Sequence, residues 1–440
     1  MRRRTSIKTL LPPHSSAGLP EPTLLLGADL SPHQARVNLA RDGVPFGGVE
    51  DFPTMILRQR TNDCRKSLFL INRCVGWSKE VKLGDKEMRK GQWAFLRRLL
   101  EELSPSGYEG RARRVWIEHL KGVADEVRVD VMGNTIASVN PGGAPRLVIA
   151  GHIDEIGVIV KHIDDKGFVR FAGIGGWDVQ NLVGQRVRLM GRNGDVWGVI
   201  GRVPIHLMDE KERRVPKIHE LHIDIGAKNR KEAEKLLRIG DAGVIDAGVR
   251  ELQGSRCAAR GCDDRLGAYV VAEVVRELAK RKGLKAAVFC VATVQEEVGL
   301  RGARTAAWGI EPDVGIAVDV TFATDQPGVQ PGRVSSVKLG GGPVLCRGAN
   351  INPKVFELLE KAAKKAKVKV QYDAYPGGTG TDANVIQLTR AGVATGLVSI
   401  PLRYMHSPIE VFDAADVDGC VRLLAEFALM LEAETDFCPV

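Results

Sequence analysis

The chain has 440 residues, a formal net charge of +9, 44% hydrophobic and 5% aromatic residues, enough for two or three domains around at least one large apolar core. No apolar run approaches the ~20 residues of a membrane span, and no apolar segment with a small-residue cleavage site follows the basic start Met1-Arg2-Arg3-Arg4, so neither a membrane nor a secreted class is expected. Eight scattered cysteines without Cys-x-x-Cys spacing read as reduced thiols of a cytoplasmic protein.

Residues 1–87 mix Pro-Pro, Ser-Ser and Gly-Gly with short apolar patches and sustain neither the helical nor the strand period. They are expected to lie outside the folded protein. They hold 14 Lys/Arg against 9 Asp/Glu, a net of +5, which leaves +4 for the other 353 residues. No aromatic-interleaved basic stripe appears there, so nucleic acid is not an expected partner. From Met88 an amphipathic helix is predicted through Gln92–Leu103, ended by Ser104-Pro105-Ser106-Gly107. A second helix (about 111–123), a strand (about 126–131) and a Gly133-Asn134 turn lead to a buried strand, 146–150. That strand runs into Gly151-His152-Ile153-Asp154-Glu155-Ile156-Gly157.

Between about 159 and 254 the texture changes to short strands and Gly turns (167–171, 186–190, 195–200 and 220–225), with one helix near 229–239. This reads as a β-rich domain inserted between two halves of an α/β domain, 88–158 and 255–440. The alternation then resumes with a helix over 265–281 and an apolar, β-branched run, Ala287 to Val294, that stops at Gln295-Glu296-Glu297. A strand at Val314–Val318 is expected to end at Asp319. A helix (352–367), a strand (393–400) and a closing helix (412–432) follow.

Ligands of open α/β sheets lie beyond the carboxyl ends of the strands. Several such ends here carry carboxylates or histidine: His152 and Asp154, Asp263 and Asp264, Glu296 and Glu297, Asp319, and the loop residue His406. Taken singly, each is an ordinary structural residue. Together, two His and three acids suffice for two zinc, cobalt or manganese ions, which need a bridging carboxylate when ~3.5–4 Å apart. Asp154, two residues after His152, is placed to accept from the imidazole and fix its tautomer. Neighbours on an extended chain point in opposite directions, so Glu296 and Glu297 are expected to differ in role, one on a metal and one as proton carrier.

The segments Ala150–Gly157, Ile174-Gly-Gly-Trp-Asp178, Gly198–Gly201, Ile223–Gly226, Asp263-Asp-Arg265, Gln295–Gly299, Asp319-Val-Thr321 and Arg403-Tyr-Met-His-Ser-Pro408 resemble, in this order, the dinuclear metallo-aminopeptidases. That family includes the glutamyl aminopeptidases and the tetrahedral TET aminopeptidases, and some members carry cellulase names. The resemblance covers roughly 88–435. It implies a zinc-exopeptidase-like α/β fold, a central mixed sheet flanked by helices, with a PDZ-like dimerisation insert. It also implies a dimer up to a dodecamer. His152 and Asp319 would hold one ion, Glu297 and His406 the other, with Asp263 bridging, Glu296 as general base and a cis peptide at Asp263-Asp264. Asp382, in a Gly-Thr-Asp motif, is left outside the ligand set. The expected activity is removal of N-terminal residues from peptides, with two divalent metal ions, zinc or cobalt, as cofactors. Two rival readings stand beside it: a metal-independent glycosidase, which leaves both histidines without work, and a non-catalytic assembly protein on the same fold.

Overall fold

A computed structural model of the chain describes residues 90–330 and 332–439. The helix start at Met88 and the segment 1–87 lie outside the described residues. Helices α1 (Lys90–Glu101) and α2 (Gly110–Leu120) precede strands β1 (Glu126–Val129), β2 (Thr135–Val139) and β3 (Arg146–His152). Six strands then form a closed barrel: β4 (Gly157–Ile163), β5 (Val169–Ile174), β6 (Arg186–Gly191), β7 (Gly194–Gly201), β8 (His222–Asp224) and β9 (Ala242–Ile245), with helix α3 (Arg230–Leu236) between the last two. The chain continues through β10 (Arg250–Glu251), β11 (Arg256–Ala259), α4 (Cys262–Leu278), β12 (Ala287–Thr293), α5 (Arg301–Ile310), β13 (Val314–Phe322) and β14 (Val344–Gly348). It closes with α6 (Pro353–Ala366), β15 (Gln371–Tyr375), α7 (Ala383–Ile386), β16 (Ala394–Arg403), β17 (Glu410–Asp413) and α8 (Ala414–Met430).

The expected mixed sheet flanked by helices is present. Its order is β1-β2-β12-β3-β13-β16-β17-β11-β10, with β14 and β15 branching from β16. The centre, β12, β3, β13 and β16, is parallel and the flanking pairs are antiparallel. Strands covered on both faces must be apolar throughout, and β12 is buried along its whole length. Helix α4 is buried nearly all round, as a helix between a sheet and other helices requires. Helix α1 presents Phe95, Leu96, Leu99 and Leu100 to the same core, a stripe at helical spacing.

The barrel has its own core, built on Val158, Val160, Phe171, Leu189, Ile200 and Ile223. Its last strand ends at Ile245, and Arg250–Glu251 pairs with the large sheet. The predicted strand at 220–225 shrinks to His222–Asp224, because residues 218–220 form a 3-10 turn. Helix α4 begins three residues earlier than expected, at Cys262, although Asp263 and Asp264 keep non-helical backbone angles inside it. The peptide between them is cis.

A buried charge cluster fastens α1 to this frame. Arg260 meets Glu155 at 2.5 Å and Arg265 meets it at 2.6 Å. The same two guanidinium groups donate to carbonyls at the end of α1: Arg265 to Leu99 (2.7 Å) and Glu102, Arg260 to Glu101 and Glu102 (3.0 Å each). The last carbonyls of a helix have no partner within it, and here the arginines supply one.

Candidate metal centre

Strand register places the site. The last residue of β12, Thr293, lies beside the last residue of β3, His152. The ladder between β13 and β3 stops at Ala317↔Ala150. Beyond that rung the two strands part, and the gap opens between His152 and Asp319. Asp319 is inside β13 rather than at its end, because the strand runs on through Val320-Thr321-Phe322, paired to β16. Asp263 enters from the first turn of α4, Glu296 and Glu297 from the turn after β12, and His406 from the turn after β16.

Asp263 stands between the two histidines. Its Oδ1 is 3.2 Å from His152 Nε2 and its Oδ2 is 3.2 Å from His406 Nε2. Each ring is oriented from its other nitrogen. His152 Nδ1 donates to the carbonyl of Asp154 at 3.1 Å, and His406 Nδ1 donates to the carbonyl of Gly176 at 3.0 Å. Donation from Nδ1 leaves the Nε2 lone pair free to accept a metal. Glu297 Oε2 lies 3.5 Å from His406 Nε2, and Glu296 Oε2 lies 3.7 Å from His152 Nε2. The adjacent glutamates therefore face different histidines. One ligand atom each from His152, Asp263 and Glu297 fall within 4.8 Å of one another, and so do those of His152, Asp264 and Asp319.

The role expected of Asp154 needs correcting. It is the main-chain carbonyl that orients His152. The carboxylate stands 3.7 Å from Nδ1 and is already engaged elsewhere. It accepts from Ser106 Oγ (2.6 Å) and from the amides of Glu296 (3.1 Å) and Glu297 (3.3 Å). Asp154 thus fixes the backbone of the glutamate pair. Asp264 is similarly committed, accepting from the amides of His152 and Gly267 at 3.2 and 2.9 Å.

The electrostatics are those of a cation site. Asp263, Glu296, Asp319 and His152 are buried, and they share a cleft of about 430 Å3 that no Lys or Arg among the described residues lines. Burial raises Glu296 to about 11; His152 opposes the shift, and the charges of Asp319, Asp382 and Asp263 add to it. Burial likewise holds Glu297 and Asp319 at about 8. His406 rises to about 9 through its hydrogen bond to Asp263. Burial disfavours the charged form of His152, but the carboxylates of Glu296, Asp263 and Asp154 outweigh it and push the ring well above its ordinary value. Desolvated carboxylates clustered this closely are costly unless they stay protonated or a cation joins them. Glu297 Oε1 is buried without any hydrogen-bond partner, so the donor set fits a metal and has a coordinating atom to spare.

Comparison with known proteins follows the same line. Residues 133–423 match the M42 glutamyl aminopeptidase family. This chain belongs to the M42 family. The lysyl aminopeptidase of Pyrococcus furiosus is 42% identical over 352 residues, 79% of this chain and 99% of that one. The TET aminopeptidase of the marine sediment archaeon Thaumarchaeota archaeon SCGC AB-539-E09 superposes with a TM-score of 0.74 at 34% identity, covering 78% of this chain and 98% of that one. The Pyrococcus horikoshii TET1 peptidase, which can assemble into a tetrahedron or a large octahedral shell, gives a TM-score of 0.70 at 31% identity, covering 77% and 100%. The protein is therefore an M42 peptide-bond hydrolase, and the fold expected from the resemblance is the fold found.

Sequence reasoning missed Thr293 and Glu410, which border this site in the M42 chain, and left Asp382 outside the ligand set. Thr293 Oγ1 donates at 2.6 Å to Asp382, which is buried and raised to about 6, chiefly by burial. Glu410 is buried beside Asp263 and His406. The Gly-Thr-Asp motif marked Asp382 in the sequence, whereas nothing in Ser407-Pro408-Ile409-Glu410 marked Glu410.

Proposed function

We infer that this M42 chain removes single residues from the free N-termini of peptides, using two divalent cations, zinc or cobalt. The observation that carries the reading is the buried cluster of Asp263, Glu296, Glu297 and Asp319 around His152 and His406. His152 and Asp319 would hold one ion and Glu297 and His406 the other, with Asp263 reaching both through its two oxygens. Bound there, two dications would polarise the peptide carbonyl, acidify a water and draw the neighbouring carboxyl pKa values down.

Glu296 has no place in that ligand set, so its carboxylate is free to move a proton. It takes one from the attacking water as the new C–O bond forms, and gives it to the amine nitrogen as the C–N bond breaks. Asp154 keeps Glu296 aimed by holding its amide. Leu300, Phe322, Tyr375 and Met405 wall the cleft and would receive the side chain of the N-terminal residue, excluding water from it. A glycosidase reading uses two carboxyls alone and explains neither histidine, and the family match does not favour it.

Self-association belongs to the same reading. Val203, Ile205, Leu207 and Val215 stand exposed on one barrel segment, Leu207 at 76%, and apolar side chains clustered in this way mark protein contacts.

A panel of aminoacyl anilides tests the activity. Free and N-acetylated substrates would be offered to enzyme loaded with zinc, cobalt or manganese, and again after chelation. Turnover only of free amines, lost on chelation and restored by metal, is expected. Equal turnover of acetylated substrates would defeat the exopeptidase reading.

A further inference from the structure

We propose that Glu410 is a positioning residue, whose single carboxylate holds the backbones of Asp263 and His406 in the register that lets both face one ion. Its Oε2 accepts from the Asp263 amide at 3.1 Å and its Oε1 accepts from the His406 amide at 3.0 Å. The inference rests on the proposed ligand set, in which Asp263 and His406 share a cation.

The sheet explains why one residue reaches both. Glu410 opens β17 and pairs with Ala259, the last residue of β11. Asp263 lies four residues after Ala259, and His406 four residues before Glu410. Both ligand-bearing turns therefore leave the sheet from the same rung. Neither amide has a partner in regular structure: Asp263 sits at φ −76°, ψ 109° inside a helix, and His406 sits at φ +58°. A buried amide outside a ladder needs an acceptor, and a left-handed residue turns its amide away from its neighbours'. The Glu410 carboxylate has two oxygens and is itself buried, so each oxygen is dedicated to one amide. His406 is then fixed from two sides, by Glu410 at its backbone and by the Gly176 carbonyl at its ring.

A residue that only filled a polar gap would affect stability and leave the ions alone. The test therefore reads the ions. Competition titrations with zinc, and the visible absorption of bound cobalt, would be recorded on the full chain for wild type, Glu410→Gln, Glu410→Asp and His406→Ala. Glu410→Gln presents a donor to one of two donors, and is expected to weaken one ion roughly 10–100-fold, as loss of a ligand's support does. The other ion, which Asp263 also reaches, should weaken less, because only the first loses its support on His406 as well, and the cobalt band of that site should shift most. Glu410→Asp keeps both acceptors on a shorter arm and should weaken the same ion less. In wild-type protein, amide hydrogen exchange at Asp263 and His406 should stay protected after chelation, because Glu410 rather than the ion holds them. Wild-type affinity for both ions in the Glu410 variants, with His406→Ala losing one, would overturn the inference alone; so would exchange at both amides as soon as metal is stripped. Retention of both ions by His406→Ala would overturn the ligand set beneath it.

Discussion

The main-chain carbonyl of Gly176, on the barrel side of the chain, accepts a hydrogen bond from Nδ1 of His406 at 3.0 Å. The ring of His406, a proposed ligand carried by the large sheet, is thus oriented by backbone next to β5. The barrel contributes to the site as well as standing beside it, so deleting it would also remove a support of His406.

Substitution at Gly176 should isolate this contact. A Cβ there would come within 3.3 Å of His406 Nδ1, closer than the ring tolerates without shifting by a few tenths of an ångström. Gly176→Ala is expected to weaken one of two bound ions by roughly 10-fold, with melting temperature little changed. Metal titration beside calorimetry checks it, and unchanged affinity would show that the ring is held by other contacts.

The two glutamates should separate cleanly. Glu296→Gln keeps size and hydrogen bonding but cannot take a proton, so kcat should fall by roughly 10²–10⁴ while elemental analysis still finds two ions per chain. Glu297→Gln removes a charged ligand and should lose one ion together with activity. The reverse pattern would exchange their roles.

The acids predict how metal binding depends on pH. Burial holds Glu297 and Asp319 near pKa values of about 8, against ordinary values of 4.5 and 3.8. The folded chain therefore keeps protons that the unfolded chain has released, and stability of the stripped protein should fall as pH rises toward about 8. His406 acts in the same direction: its raised pKa contributes stability that is complete below 6.5 and lost as pH rises through about 9. Asp263 has the opposite sign. It is lowered by its hydrogen bonds to His152 and His406 against the effect of burial, so its contribution is present above 3.8 and lost only in stronger acid. Metal must displace the protons on Glu297, Asp319 and His406, so the melting-temperature gap between loaded and chelated protein should widen from about pH 6 to about pH 9. A constant gap would contradict this assignment.

Leu207→Asp places a charge on the most exposed apolar residue of the barrel segment without touching the cleft. If that segment carries the contact, light scattering should find smaller species than wild type, with two ions still bound per chain. An unchanged mass would put the interface elsewhere.

Much of the site was legible because its strands are. The run Ala287 to Val294 announces a buried strand, and its abrupt end at Glu296-Glu297 marks a candidate ligand position. Period and composition read only one strand at a time, however. They could not tell that β13 outlasts its pairing with β3, which is why Asp319 was placed at a strand end instead of within the strand. Helix α5 went unread because Gly302 and Gly309 lower its propensity. Gly302 is required there, since any Cβ would strike Asn134 and the backbone of Val294. Glu410 and the true use of the Asp154 carboxylate were invisible for another reason: each depends on amides that only the assembled sheet brings within reach.

Arg265 follows Asp263 by two residues, and Arg260 lines the same small cavity as Asp263 and Glu297. Either could have neutralised the acid cluster from within, since guanidinium pairs with carboxylate in two-pronged geometry. Glu155 and the end of α1 prevent it. The carboxylate and the negative pole of the helix dipole occupy both guanidinium groups on the far side of the turn. Helix α1 lines no part of the cleft. By occupying the protein's own competing cations, it leaves the acids unpaired, able to exchange their protons for ions from solution.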